Sequence, residues 1–298
     1  MSIYRFIAAE KASYRVSLMC ELLGVSRSGF YAWQRRPMCE RAREDQRLLE
    51  LIRSIHGEAR GVYGVRRIHA ELRLAHEIRV SRKRVERLMR QAGISGLVRR
   101  RPGHTTIRVP GVRVATDLVE RDFNPKAPNR LWVADITYLP TWEGWLYLAA
   151  VQDAYSRAIV GWSMGPNMRA ELVVDALEMA LARRRPEPGL IHHSDHGSQY
   201  VSLIFGHTAR QAEIAISMGA TGSAYDNALA ETFFATLKKE LVNRRSWPTR
   251  RELMSALFDY IETFYNHRRR HSTLGYLSPR QYELSTPHRQ DLQTTTTN

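Results

Sequence analysis

The chain has 298 residues, 43% of them hydrophobic and 25% charged, an ordinary globular composition on a length that leaves room for a core with attached modules. Its formal charge of +15 points to a polyanionic partner, nucleic acid before an acidic membrane. No apolar run approaches the roughly 20 residues of a membrane span, and two cysteines, Cys20 and Cys39, indicate neither a disulfide framework nor a structural zinc site.

The charge is confined to one region. Met1 to Ala115 holds 25 Lys and Arg against ten Asp and Glu, and from Thr116 onward the charges cancel. Arginine dominates this surplus, which suits bidentate contacts to phosphates and guanine edges. Arg5, Glu10 and Lys11 interrupt any signal-peptide core, so a cytoplasmic location with no membrane partner is expected.

Residues 1–37 read as three short helices. Ser17 to Leu23 is amphipathic, Gly24-Val25-Ser26 makes a turn, and Arg27 to Arg36 forms the next helix, stopped by Pro37. Helix, glycine turn and helix match a helix-turn-helix with Ser26 as N-cap. Phe30, Tyr31 and Trp33 are expected in its core, leaving Arg27, Ser28, Gln34 and Arg35 to face DNA. A simple helical hairpin is the alternative. The theme recurs over 41–95. A long helix from Arg43 to Glu58 has Leu48, Leu49, Ile52 and Ile55 at helical spacing. A second runs from Val65 to Ala75. A third, Arg82 to Ala92, is introduced by Val80-Ser81. Its stripe of Val85, Leu88 and Met89 leaves Arg82, Lys83, Arg84, Arg87 and Arg90 on the other faces, a second candidate DNA surface. Residues 99–128, rich in Arg and Pro, read as a basic linker.

Beyond it the pattern turns to strands: Leu131–Leu139, Trp145–Gln152 and Arg157–Met164, then a helix Glu171–Arg184 and a strand Gly189–His193. A helix Gln199–Ala212, a strand Ile214–Met218 and a helix Asn227–Val242, capped by Asp226, complete the run. The order βββαβαβα predicts an α/β ribonuclease-H-like core, a mixed five-stranded sheet with helices on both faces, preceded by all-α helix-turn-helix modules. The expected division is 1–40 and 41–98 for the two DNA-binding modules, 99–128 for the linker, and 129–245 for the core. A C-terminal helical extension over 246–284 and a tail over 285–298 follow.

Three carboxylates converge in this order. Asp135 lies mid-strand, and alternation places Val133, Asp135 and Thr137 on one face, with Trp132, Ala134, Ile136 and Tyr138 on the other. A charge at the centre of an apolar strand is costly unless paired or metal-bound. Asp195 follows a strand directly, and Glu231 stands one turn inside a helix. Fifty-nine residues separate the two aspartates and 35 separate Asp195 from Glu231. Hard oxygen ligands on two strands and a helix suit two divalent ions, Mg²⁺ or Mn²⁺. One would activate an attacking water or 3′-hydroxyl and the other would stabilise the leaving oxygen. His192 and His193, adjacent on a strand, point to opposite faces and are expected in core or turn roles. Asp153 reads as a turn residue, and Trp132, Trp145 and Trp162 as core.

The segments His193-Ser194-Asp195-His196-Gly197-Ser198-Gln199-Tyr200, Tyr225 to Phe234 and Asn266-His267-Arg268-Arg269-Arg270-His271-Ser272-Thr273-Leu274-Gly275-Tyr276 resemble the insertion sequence 3 family of bacterial transposases, specifically its second-reading-frame product. The likeness runs from Ser17 to Tyr282, and the D…D(35)E spacing is shared with retroviral integrases. The resemblance implies Asp135, Asp195 and Glu231 as a catalytic, metal-holding triad that cleaves at an element's ends and joins a 3′ strand to DNA. It implies double-stranded DNA as partner, both terminal repeats and target. A homo-oligomer on that DNA and a first-reading-frame protein or fusion are further implied partners. A ribonuclease-H-like nuclease without strand transfer, or a non-catalytic DNA-binding regulator, are the alternatives. Departures from the family pattern are His196 after the second Asp and the loop Gly219 to Ala224. Retroviral integrases carry Lys four and seven residues past the Glu. Here Lys238 keeps the second position, facing the DNA end, and Ala235 takes the first.

Overall fold

The computed structural model describes residues 3–35, 38–97, 119, 123–195, 199–218 and 228–285. Most of the expected linker, the cap at Asp226, the departures at His196 and Gly219 to Ala224, and most of the tail lie outside them.

Three helices, α1 (Ile3–Glu10), α2 (Val16–Leu22) and α3 (Arg27–Arg35), enclose a small core of Ile7, Met19, Cys20 and Phe30. Ser26 caps α3, its Oγ accepting from the Gly29 N–H at 3.0 Å, and Gly24 supplies the positive φ of +64° that the preceding turn needs. Trp33 packs on this core, but Tyr31 does not join it. It is 41% exposed, because one residue past Phe30 a helix has turned about 100°.

The second helical group is α4 (Glu40–Glu58), α5 (Val65–Leu74) and α6 (Arg82–Gln91). Ser81 caps α6 through the Arg84 N–H. The buried stripe of α6 is Val85, Leu88 and Met89, and α4 contributes Leu48, Ile52 and Ile55. These side chains do not form a closed core. One continuous cluster runs from them into Leu139, Leu146 and Leu148 of the sheet and into Phe233, Leu257 and Tyr260 near the C-terminus. The second group is therefore packed directly onto the strand-bearing region.

That region carries β1 (Leu131–Thr141), β2 (Gly144–Asp153), β3 (Ile159–Gly165), α7 (Ala170–Arg184), β4 (Ile191–Ser194), α8 (Leu203–Gln211), β5 (Ala215–Met218) and α9 (Ala228–Glu240). The sheet order is β3-β2-β1-β4-β5. β1, β2 and β3 form an antiparallel meander, and β4 and β5 add in parallel to the other edge of β1. This is the mixed five-stranded sheet that the element order predicts. Alternation along β1 holds: Trp132 and Ala134 enter the core beneath α7 and α8, whereas Val133 meets Ala230 of α9. α7 lies close on β3 because position 161 is glycine. A Cβ there would stand 2.1 Å from the Ala176 carbonyl oxygen.

Asp153 closes the β2–β3 turn as expected, its carboxylate accepting from the N–H groups of Asn129, Tyr155 and Ser156. Trp132 is fully buried and Trp162 packs against the core, but Trp145 is 49% exposed. It opens β2 at the hairpin tip, where it meets Tyr138 edge-on at 5.0 Å. The C-terminal part adds α10 (Arg250–Asp259), a π-helical turn (Tyr260–Tyr265) and α11 (Pro279–Leu284).

Candidate active site

β1 and β4 pair in parallel, with Ala134 opposite Ser194. Asp135 follows in β1 and Asp195 is the first residue past the end of β4, so the register directs the two aspartates side by side, one interstrand spacing of about 4.8 Å apart along the backbone. Parallel neighbours share a face, and here it is the face of Val133, on which α9 lies. Glu231 is in the first turn of that helix, one residue after Ala230, whose burial against Leu131 and Val133 fixes its height over β1. The register and the helix packing bring all three acids to one end of the β1/β4 pair.

Electrostatics tie them together. The Asp135 carboxyl is pushed up to about 7, first by burial and then by the negative charge of Asp195, with Glu231 adding to it. Only the Ile136 N–H, 2.7 Å from Asp135 Oδ1, and the Lys238 ammonium act in the other direction. Among the described residues around Asp135, Lys238 is the one cation that acts on it. Among the described residues no three His, Cys, Asp or Glu side chains are gathered tightly enough to hold one ion between them. Three like charges drawn to a point would repel strongly without a cation. The donor set itself is all carboxylate oxygen, the preference of Mg²⁺ and Mn²⁺.

Lys238 is half-buried, its Nζ 5.3 Å from the centre of the Tyr138 ring. Burial lowers its proton affinity, and the Asp135 charge draws it back up. Seven residues from Glu231, it shares that face of α9. Lys239 points elsewhere and donates to the Leu97 carbonyl at 2.9 Å, tying α9 to the second helical group.

Tyr200 escaped the sequence reading as a site residue. It lies on the opposite face of the sheet, 3% exposed, its hydroxyl without a hydrogen-bond partner among the described residues. Burial and the charges of Asp135 and Asp195 hold this phenol well above its ordinary range, so it stays protonated beneath the two aspartates. The one hint was its place in the motif that carries Asp195. His192 packs beside it, with ring centroids 6.0 Å apart, while His193 turns to the α9 face, Nδ1 2.9 Å from Ser217 Oγ. The two histidines therefore take opposite faces and are both buried.

Burial pushes the His192 imidazole down to about 4. The unfolded chain, titrating near 6.5, takes up the proton first, so this contribution to stability is complete above pH 6.5. It is lost as pH falls toward 4, at about 1.4 kcal/mol per pH unit. His271, buried beside Arg269, shifts in the same direction. Urea unfolding at pH 7 and pH 5 should show a smaller acid loss for His192→Asn than for the parent. Equal losses would show that His192 is not the group titrating.

The helical residues expected at DNA fall into two classes. Arg27, Ser28, Gln34, Arg35, Arg82 and Lys83 are exposed. Arg84 and Arg87 are engaged internally, at 2.7 and 2.6 Å from the two oxygens of Asp45, with Glu44 a further partner of Arg84. These pairs hold α6 to α4. The C-terminal motif is also occupied. Arg269 makes a two-pronged pair with Glu240 at the end of α9, at 2.9 and 2.8 Å, and the same carboxylate accepts from the Tyr260 hydroxyl. Arg270 reaches Glu71 of α5 at 2.5 Å.

Comparison with known proteins agrees with this architecture. Residues 125–224 and 212–279 match models of an integrase core domain, and residues 43–102 match an HTH-like domain. A chain of the simian T-cell lymphotropic virus intasome in complex with PP2A regulatory subunit B56 gamma matches at 16% identity and a TM-score of 0.45 over 77% of this chain and 73% of that one, too loosely to carry an argument. Sequence relatives are far nearer. An uncharacterized 31 kDa protein of insertion element IS600 from Shigella sonnei is 43% identical, over 88% of this chain and 96% of its own length. Transposase InsF of insertion sequence IS3A from Escherichia coli K12 is 40% identical, over 94% and 98%. The chain belongs to the family of insertion sequence 3 transposases.

Proposed function

We propose that Asp135, Asp195 and Glu231 are the catalytic acids of this transposase, holding two divalent ions, Mg²⁺ or Mn²⁺, against a phosphate at the end of an insertion element. The observation that carries this reading is the β1/β4 register, which sets the two aspartates side by side beneath the helix bearing Glu231. When bound, such ions activate the attacking oxygen and neutralise charge on the leaving one. The chain's residues contribute placement. Asp135 sits on a central strand paired with β2 from Trp132 to Thr141. Glu231 is set by the burial of Ala230, Phe233 and Phe234 beside it. No protein nucleophile is needed, because water cleaves the end and the freed 3′-hydroxyl attacks target DNA. The helical groups over 1–40 and 41–98 bind duplex DNA at the terminal repeats, and the core over 129–245 performs the chemistry, with the extension over 246–284 bracing it. Copies of the chain act together on DNA in the bacterial cytoplasm, at the nucleoid, with a first-reading-frame protein or as a fusion to it.

The test is a strand-transfer assay. The substrate is a duplex carrying one end of the element that encodes the chain, pre-nicked to expose its 3′-hydroxyl, with a supercoiled plasmid as target. Joined product in Mg²⁺ and none in EDTA is expected. Hydrolysis without joining would make the protein a nuclease, and binding without either would make it a regulator.

Lys238 holds the backbone of the element's end beside the acids, given its face on α9 and its coupling to Asp135. Lys238→Ala should slow joining about tenfold or more, the loss of one charge-assisted contact. Stability should change by no more than the roughly 1 kcal/mol of an exposed cation–π contact. Lys239 is unsuitable as a silent control, since it anchors Leu97. Unchanged joining by the Lys238→Ala protein would remove it from the DNA end.

A further inference from the structure

Five cations of the second helical group are paired within the fold, and where several of the others gather is informative. Arg84 and Arg87 share Asp45, Arg90 pairs with Glu86, Arg60 with Asp259 and Arg67 with Glu240. In contrast, Arg66, Arg73, Arg82 and Lys83 make no ion pair with any described residue, and all four line one cleft of about 560 Å³ between α5 and α6. Among the described residues no carboxylate lines it. Four cations gathered without a counter-charge repel one another. Such a surface is matched by a polyanion.

The geometry also specifies the anion. The floor of the cleft is Ser81, the N-cap of α6, so the unsatisfied N–H groups and positive end of a ten-residue helix open into it. His69 is fixed there by a 2.9 Å contact between its Nε2 and the Val80 carbonyl. The far wall is Tyr276, brought in by the C-terminal motif and held at a left-handed φ of 65°, a conformation that disfavours a tyrosine unless its surroundings impose it. Its backbone is pinned on both sides. The N–H donates to His271 O at 2.8 Å, and the carbonyl accepts from Arg270, which also grips Glu71 of α5. A second cleft of about 380 Å³ shares Arg66 and Tyr276 and continues past Gly64 and Gly96 to Leu97, the residue that Lys239 of α9 holds.

We propose that Arg66, Arg73, Arg82, Lys83 and Tyr276 form a track for the sugar–phosphate backbone of DNA, running from the start of α6 across α5 toward the helix that carries Glu231. The inference rests on the reading of the chain as a DNA-binding transposase and goes beyond it. It moves the principal contact surface from the outward face of α6 to the α5/α6 cleft, and it makes Tyr276 part of that surface.

The test uses the full chain in EDTA and a mixed-sequence duplex of about 20 base pairs, with binding followed by fluorescence anisotropy over a range of salt. Each neutralised phosphate contributes a slope of about −0.9 to log K against log salt. Arg66→Ala and Arg73→Ala should each make the slope shallower by about 0.9, while Arg90→Ala, an exposed arginine already paired on its own helix, should leave it unchanged. Tyr276→Phe should weaken binding about tenfold without altering the slope, because the hydroxyl it loses is neutral. A steep parent slope that neither Arg66→Ala nor Arg73→Ala alters would overturn the track while leaving DNA binding intact. A parent slope near zero would overturn the DNA-binding reading itself, and the track with it.

Discussion

Asp135→Asn, Asp195→Asn and Glu231→Gln should each lower cleavage and joining by about 10³-fold or more while DNA binding persists. Each change keeps the shape and removes the charge that holds an ion, and the several kcal/mol that an ion contributes in the transition state correspond to at least that factor. Binding is spared because the charge surplus lies before Thr116, away from the three acids in the chain. The Asp135 variant has a second expected signature. Its carboxyl is buried beside two like charges and rises to about 7, so ionised Asp135 costs stability above its unfolded value near 3.8. Asp135→Asn should melt no lower than the parent in EDTA at pH 8, which separates lost chemistry from lost folding. A variant that is inactive because it unfolds would melt lower and would not support the assignment.

The second large effect concerns stability. Arg269 and Glu240 are each 5% exposed and joined by two hydrogen bonds, with Tyr260 and Arg67 completing the carboxylate's surroundings. The guanidinium holds the Glu240 carboxyl below its usual range despite burial. Arg269→Ala strands a buried charge and should cost about 3–5 kcal/mol. Replacing both partners together by apolar residues of similar volume, Arg269→Met with Glu240→Leu, should cost less, since the two most buried charges leave together and only the more exposed Arg67 and the Tyr260 hydroxyl lose a partner. Urea midpoints of the two proteins measure this. Equal destabilisation would mean that packing, and not the pair, is what position 269 supplies.

Much of the site was legible because its signals are local. The alternation Trp132-Val133-Ala134-Asp135 is a property of one strand, and the parallel β1/β4 register preserves it. The cap at Ser81 and the turn at Asp153 were readable for the same reason, as each bonds within a few residues. What could not be read depends on partners far away in the chain. Nothing near Arg84 or Arg87 announces Asp45, some 40 residues earlier, so a basic helix face looked free when two of its arginines are clamps. Arg270 and Glu71 stand 199 residues apart, which is why the C-terminal motif read as a signature and not as a brace on α5. Residue type alone puts Trp145 and Tyr31 in the core. Their exposure is set by a hairpin tip and a helix turn, which type does not reveal.

The claim that three carboxylates hold the ions is tested most directly by replacing Mg²⁺ with Fe²⁺ and adding ascorbate and peroxide. Radicals formed at the bound iron cut the polypeptide beside its ligands. Fragments ending near Asp135, Asp195 and Glu231 are predicted, suppressed by excess Mg²⁺ and lost in the Asp135→Asn, Asp195→Asn double variant. Cuts at other positions, or the same cuts in the double variant, would contradict the assignment.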